Sequence, residues 1–118
     1  MTAASPYAPV LDELTRVQGV RGAMIVSLRD GLVVAEHLAD DVKGTAVAAL
    51  TASLAGRLGR ALESAGAGSA GFWHLQGEAG AVLALPAGEG LLVVAVAAPA
   101  VNVGLVRLEL RRAAEVLR

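Results

Sequence analysis

Apolar residues near the carboxyl end of the chain recur at helical spacing, after a residue suited to capping a helix. Asn102 is a favourable N-cap. The apolar positions that follow it form one stripe, at Val103, Val106, Leu110, Ala113 and Leu117. Residues 91–98, LLVVAVAA, are apolar on both faces, which is typical of a strand covered on both sides. The pattern therefore predicts a buried strand that leads directly into an amphipathic closing helix.

The longest helical pattern predicts a helix over residues 42–65, ended by Gly66, with Asp40 or Asp41 as its N-cap. Its large apolar residues form a stripe that we expect to lie on a sheet: Val47, Leu50, Leu54, Leu58 and Leu62. Beside this stripe runs a small-residue face: Ala48, Ala52, Ala55, Gly56 and Gly59. A glycine inside a helix costs about 1 kcal/mol relative to alanine. We expect close packing of a second helix to offset this cost, and the general richness of the chain in alanine and glycine is the rival explanation.

Runs rich in β-branched and apolar residues predict five strands. Two of them, near residues 22–28 and 32–38, flank an Asp-Gly step at residues 30–31, which is typical of a hairpin. The other three are joined by short, turn-rich links and should be antiparallel neighbours. They lie near residues 70–76, 80–85 and 91–97.

The predicted order of elements is helix, two strands, long helix, three strands, helix. The first helix begins at Pro6 or Pro9 and runs to about Val17. This order is typical of an α+β domain with an antiparallel sheet and helices on both faces. We expect residues 1–7 to be a flexible tail and residues 8–118 to be a single domain.

Composition narrows the classes of function. The net charge is −1, and Trp, Tyr and Phe occur once each, so no surface for nucleic acid is expected. The chain has no cysteine, which excludes disulfides and thiolate chemistry. Residues 91–101, the longest apolar run, are too short to span a bilayer, and the first residues do not resemble a signal peptide. We expect a cytoplasmic protein that neither binds nucleic acid nor inserts into a membrane.

The polar residues form no recognisable catalytic constellation. Residues 66–71 match G-x-G-x-x-G, but the match follows a predicted helix and opens a strand, the reverse of a dinucleotide-binding loop. His37 and His74 are too few for a typical zinc site and fit half-exposed strand positions. We therefore predict no catalytic residue, no cofactor and no metal ion.

Three segments together resemble the roadblock / dynein light chain family, most closely its MglB-like bacterial branch. They are GVRGAMIVSLRDGLVVAEHL near the start, DVKGTAVAALTASLAGRLGRAL in the middle and NVGLVRLELRRAAEVL at the end. The resemblance covers the chain from about residue 8. It implies a roadblock-like, profilin-like α+β fold with a five-stranded antiparallel sheet. It also implies a homodimer in which the middle helices lie side by side and the third strands pair across the axis.

The resemblance implies a function as well. MglB-like proteins bind Ras-like small GTPases and stimulate GTP hydrolysis by reordering the GTPase's own switch segments, without an arginine finger; related members are scaffolds. We therefore expect a non-enzymatic homodimeric regulator of a small Ras-like GTPase. The alternatives are a dimeric scaffold for signalling or motility proteins that leaves GTP turnover unchanged, and a profilin-like sensory module for a small ligand.

The candidate interaction residues lie on the middle helix and on the third strand. We expect the dimer interface to contain Ala48, Ala52, Ala55, Gly56, Gly59 and Trp73. We expect the charged residues of the middle helix to contact the GTPase: Lys43, Arg57, Arg60 and Glu63. Ordinary solubility charges are the alternative explanation of these four. A basic ridge on the last helix is better explained as a solvated face: Arg107, Arg111 and Arg118, with Arg112 nearby.

Overall fold

The computed structural model describes residues 6–117 and has the predicted order of elements. These are α1 (Ala8–Thr15), β1 (Val20–Ser27), β2 (Val33–Leu38), α2 (Gly44–Ser64), β3 (Trp73–Gln76), β4 (Ala81–Ala87), β5 (Leu91–Ala97) and α3 (Val103–Val116). The α+β class and the five-stranded antiparallel sheet are confirmed. Most of the predicted tail, at residues 1–5, lies outside the described residues.

The sheet has the order β2-β1-β5-β4-β3, so β2 and β3 are its two edges. The predicted hairpin joins β1 to β2. At its tip Gly31 has φ +72°, a left-handed conformation that favours glycine, and the Leu32 amide donates to Asp30 Oδ1 at 3.1 Å. The predicted antiparallel neighbours β3, β4 and β5 are confirmed as well.

Helices cover both faces of the sheet, because α1 and α3 pack side by side on one face and α2 lies on the other. The cap of α3 is confirmed, since the Leu105 amide donates to Asn102 Oδ1 at 3.0 Å. Its predicted apolar stripe faces the sheet, with Val106, Leu110 and Ala113 buried.

The predicted start of α2 is wrong. The helix begins at Gly44, its N-cap is Lys43, and no side chain makes a capping hydrogen bond. Asp41 instead forms an ion pair with Arg21. Gly44 is buried against β2, where an added Cβ would come within 2.6 Å of side-chain atoms of both Glu36 and Leu38. Close packing of the backbone on β2, rather than a carboxylate cap, therefore fixes where α2 begins.

The predicted end of α2 at Gly66 is confirmed. Gly66 has φ +71°, and the amides of Gly66 and Ala67 donate to the carbonyls of Glu63 and Leu62. This is the Schellman arrangement that closes many helices. The following residues stay irregular up to Phe72, so β3 begins three residues later than predicted, at Trp73.

Candidate interaction surface

The support that α2 receives from the rest of the chain differs between its two halves. Its buried residues all lie in the first half: Gly44, Ala48, Thr51 and Ala52. Residues 53–64, the distal half, contain no buried residue. Leu54, Ala55 and Leu58 are partly buried against the core, and no residue from Gly59 to the end of the helix packs against either core cluster. The distal half therefore carries an apolar stripe that its own chain covers only in part.

The side of α2 that contacts the sheet is not only the apolar stripe that the sequence predicted. Ala48 is fully buried and Ala52 is 9% exposed, because both lie against the sheet of their own chain. Leu50 is 70% exposed, so the prediction that it packs on the sheet is wrong. Ala48 and Ala52 pack in the same buried cluster as Met24 and Val26 of the sheet, and the larger Val47, Leu54 and Leu58 are partly buried against it. Ala48 and Ala52 thus belong to the core of one chain rather than to a seam between two.

Gly56 and Gly59, in contrast, face space that their own chain leaves open. An added Cβ on Gly56 would have Arg60 Nη1 at 3.7 Å as its nearest neighbour, and one on Gly59 would have no heavy atom within 4 Å. Neither glycine has a positive φ. The fold of a single chain therefore does not require glycine at either position, although each lowers helix propensity.

The third strand, which contains Trp73, lies at an edge of the sheet. Its four residues pair with β4 in uninterrupted register. Trp73 is 9% exposed, and its indole Nε1 has no hydrogen-bond partner within residues 6–117. Leu75 is 45% exposed and borders a depression of about 410 Å³ that Val82 and Val96 also line. This edge thus combines a regular open ladder with exposed apolar surface.

The opposite edge is built differently. The pairing of β2 with β1 shifts register between Ile25 and Val26. Its later residues Glu36 and His37 are exposed, and His37 Nδ1 lies 3.0 Å from Asp12 Oδ1 of α1. Register irregularities and charged side chains are the features by which proteins block pairing at an edge strand. Of the two edges, β3 is therefore the one open to another strand.

The four charged residues predicted to contact a partner are all exposed: Lys43, Arg57, Arg60 and Glu63. None takes part in an ion pair within the described part of the chain. Arg57, Arg60 and Glu63 share the distal half of α2, whereas Lys43 lies at the other end, about 20 Å away along the axis. The structure therefore groups three of the four. Sequence reasoning did not single out Leu75, and it placed the exposed Leu50 on the sheet because it could not tell which face of α2 meets the sheet.

Several of the remaining candidate groups are engaged in local contacts, and Arg118 lies outside the described residues. In the basic ridge of α3, Arg107 lies over the Phe72 ring at 5.1 Å and Arg112 pairs with Glu109 at 2.9 Å. His74 Nε2 lies 2.9 Å from Gln76 Oε1. Within residues 6–117 no group of three or more acidic or histidine side chains is placed to hold a metal ion. In the same range, no helix has the length and apolar character needed to cross a bilayer.

A groove of about 260 Å³ between α1 and α3 bears on the small-ligand alternative. Its apolar wall includes Val10, Ala113 and Val116. Its charged rim residues are paired along their own helices, Glu13 with Arg16 at 3.1 Å and Glu109 with Arg112. The charged side chains of this groove thus already have ion-pair partners on their own helices.

Comparison with known proteins agrees with this architecture. Residues 7–97 match the model of the Roadblock/LC7 domain. Uncharacterized protein MJ1340 of Methanocaldococcus jannaschii is 38% identical over 109 residues, which cover 92% of this chain and 94% of that protein. A structure described as MglB with tetrameric arrangement superposes with a TM-score of 0.86 at 30% identity and covers 99% of this chain and 90% of its own.

A second solved neighbour is the gliding protein MglB of Thermus thermophilus. It superposes with a TM-score of 0.84 at 28% identity and covers 99% of this chain and 91% of its own. The family match spans more than half of the chain, and both of these neighbours superpose on 99% of it. The chain therefore belongs to the Roadblock/LC7 family, and within it to the MglB-like branch.

Proposed function

We propose that this protein is a non-enzymatic homodimeric regulator of a small Ras-like GTPase, acting in the cytoplasm. The observation that carries the proposal is the distal half of α2, whose apolar stripe its own chain covers only in part and whose open glycines lie in the same chain as an open edge strand. The similarity to MglB structures supports the choice of a GTPase as partner.

Self-association follows from the apolar surface that one chain leaves uncovered. Pairing of β3 with its counterpart in a second copy would satisfy the free backbone groups of both edges. The same arrangement would cover Leu75, which is 45% exposed. The distal halves of two α2 helices would then meet through Ala55, Gly56 and Gly59, where small side chains allow close approach. Ala48 and Ala52 are left out of this revised seam because they are buried in their own chain.

The GTPase would bind the charged outer surface of the paired α2 helices. Lys43, Arg57 and Arg60 carry positive charge there, and Glu63 carries the one negative charge of the set. Because three of these four side chains are cations, we expect them to bind a partner surface with an acidic rim. To accelerate hydrolysis, the protein must bind the hydrolysis-competent conformation of the GTPase more tightly than its other conformations. Arg57 and Arg60 then serve as binding contacts and not as an arginine finger.

The test mixes the protein with candidate small Ras-like GTPases loaded with GTP or with GDP. Binding is measured by titration calorimetry and hydrolysis by phosphate release. We expect preferential binding of the GTP form together with faster phosphate release. Binding without faster release would support the scaffold alternative instead, and absence of binding to any GTP-loaded candidate would contradict the proposal.

A further inference from the structure

The distal half of α2 makes few of the contacts that normally hold a helix in place, and those it makes end at Leu58. It has no buried residue, and after Leu58 it makes no contact with either core cluster. It contains Gly56 and Gly59, and glycine is the least favourable residue in a helix interior after proline. The Schellman turn at Gly66 satisfies its last carbonyls but adds no tertiary contact.

No side-chain pair compensates for this weakness. Arg57, Arg60 and Glu63 form no ion pair with one another or with other described residues. Residues 53–64 continue an already formed helix and need no nucleus of their own, so their helicity depends on intrinsic propensity and on contacts along this stretch. Beyond it, residues 65–71 form no helix or strand and are nearly all exposed. The distal half therefore lies between the firmly packed first half of α2 and the irregular segment of residues 65–71.

We infer that the second copy holds the distal half of α2 in its helical form, so that self-association creates the surface to which the GTPase binds. This inference rests on the proposed homodimer. Because Arg57, Arg60 and Glu63 all lie on the distal half, their arrangement is fixed only when that half is ordered. In a single chain the distal half frays, and the three side chains do not share a stable surface.

Two consequences follow for binding. The GTPase binds the dimer more tightly than it binds the single chain, because the single chain must first order the helix. By thermodynamic reciprocity the GTPase also tightens the dimer by the same factor. Regulation through the concentration of this protein is thus built into the fold.

Hydrogen exchange measured by mass spectrometry tests the inference on the full chain. The wild-type protein is compared above and below its dimer dissociation constant, which sedimentation equilibrium supplies. We expect amides of residues 54–64 to exchange at least about tenfold faster in the monomer, with a much smaller change over residues 44–52. Equal protection of residues 54–64 in both states overturns the inference and leaves the homodimer intact. A wild-type chain that is monomeric at every concentration overturns the proposed homodimer itself.

A second variant separates helix fraying from other causes of fast exchange. Leu75→Lys provides a monomer by placing a charge at the β3 edge, and slow exchange in β5 verifies that it is folded. Gly56→Ala and Gly59→Ala are then added to this monomer. We expect the two alanines to slow amide exchange in residues 54–64 of this monomer by at least about tenfold, without restoring the dimer. Exchange that stays fast in the alanine variant overturns the inference.

Discussion

Replacing Gly56 and Gly59 by alanine should change the stability of one chain and the affinity between two chains in opposite directions. In the single chain the new methyl groups meet no obstacle, since the nearest atom to a Cβ at Gly56 is 3.7 Å away and none lies within 4 Å at Gly59. Each alanine should therefore raise the free energy of unfolding by up to about 1 kcal/mol, and both together by up to about 2 kcal/mol, the full values applying only as far as the distal half is helical in the monomer. Urea denaturation of the monomeric Leu75→Lys background measures this gain.

In the dimer the same methyl groups should be harmful. At a close contact between two helices, an added methyl group costs about 1–3 kcal/mol. Since about 1.4 kcal/mol corresponds to a factor of ten, the dissociation constant should rise by about fivefold to about 140-fold. Sedimentation equilibrium in the wild-type background measures it. Gly104→Ala is the matched control, because Gly104 is exposed on α3, where an added Cβ would lie 3.5 Å from Asn102 Oδ1.

The opposite signs make the result decisive. A more stable monomer with a weaker dimer supports a seam at these glycines. A more stable monomer with an unchanged dissociation constant of the dimer would show that the two helices meet elsewhere. The two glycines would then be explained by the general richness of the chain in glycine. A less stable monomer would refute the description of the distal half as an open, unobstructed helix.

Three further perturbations test neighbouring features. Leu75→Lys on β3 should shift native mass spectra from the dimer to the monomer. Val34→Lys on β2, where the native residue is 41% exposed, should leave the dimer unchanged. Equal effects of the two substitutions would argue against β3 as the pairing edge. Ala52→Leu should lower the free energy of unfolding of the monomeric background by about 1–3 kcal/mol in urea titrations, because it overpacks the core beneath α2, and unchanged stability would contradict that packing. Arg57→Ala with Arg60→Ala should weaken GTPase binding and leave the hydrolysis rate at saturation within a few fold, whereas a loss of about 10³-fold or more at saturation would identify an arginine finger.

Local signals in the sequence predicted much of the fold. The cap at Asn102, the stripe that follows it and the Asp-Gly hairpin each depend on residues close together in the chain, and the structure has all three.

The orientation of α2 could not be predicted in the same way. Helical periodicity gives the angular spacing of Leu50 and Ala48, but the bulk that the sheet presents decides which of them faces inward. That bulk comes from residues far away in the chain, such as Met24 and Val26. The cap predicted at Asp41 was wrong for a related reason, because Arg21, twenty residues earlier, binds its carboxylate.

The unequal edges of the sheet limit how far assembly through strands can proceed. Once β3 is paired with its twin around a two-fold axis, the outermost strands of the joined sheet are the two copies of β2. Each of these carries a register irregularity and charged residues. In the proposed dimer, growth by strand addition would therefore stop at two chains, and an alanine- and valine-rich sheet would end as a closed pair.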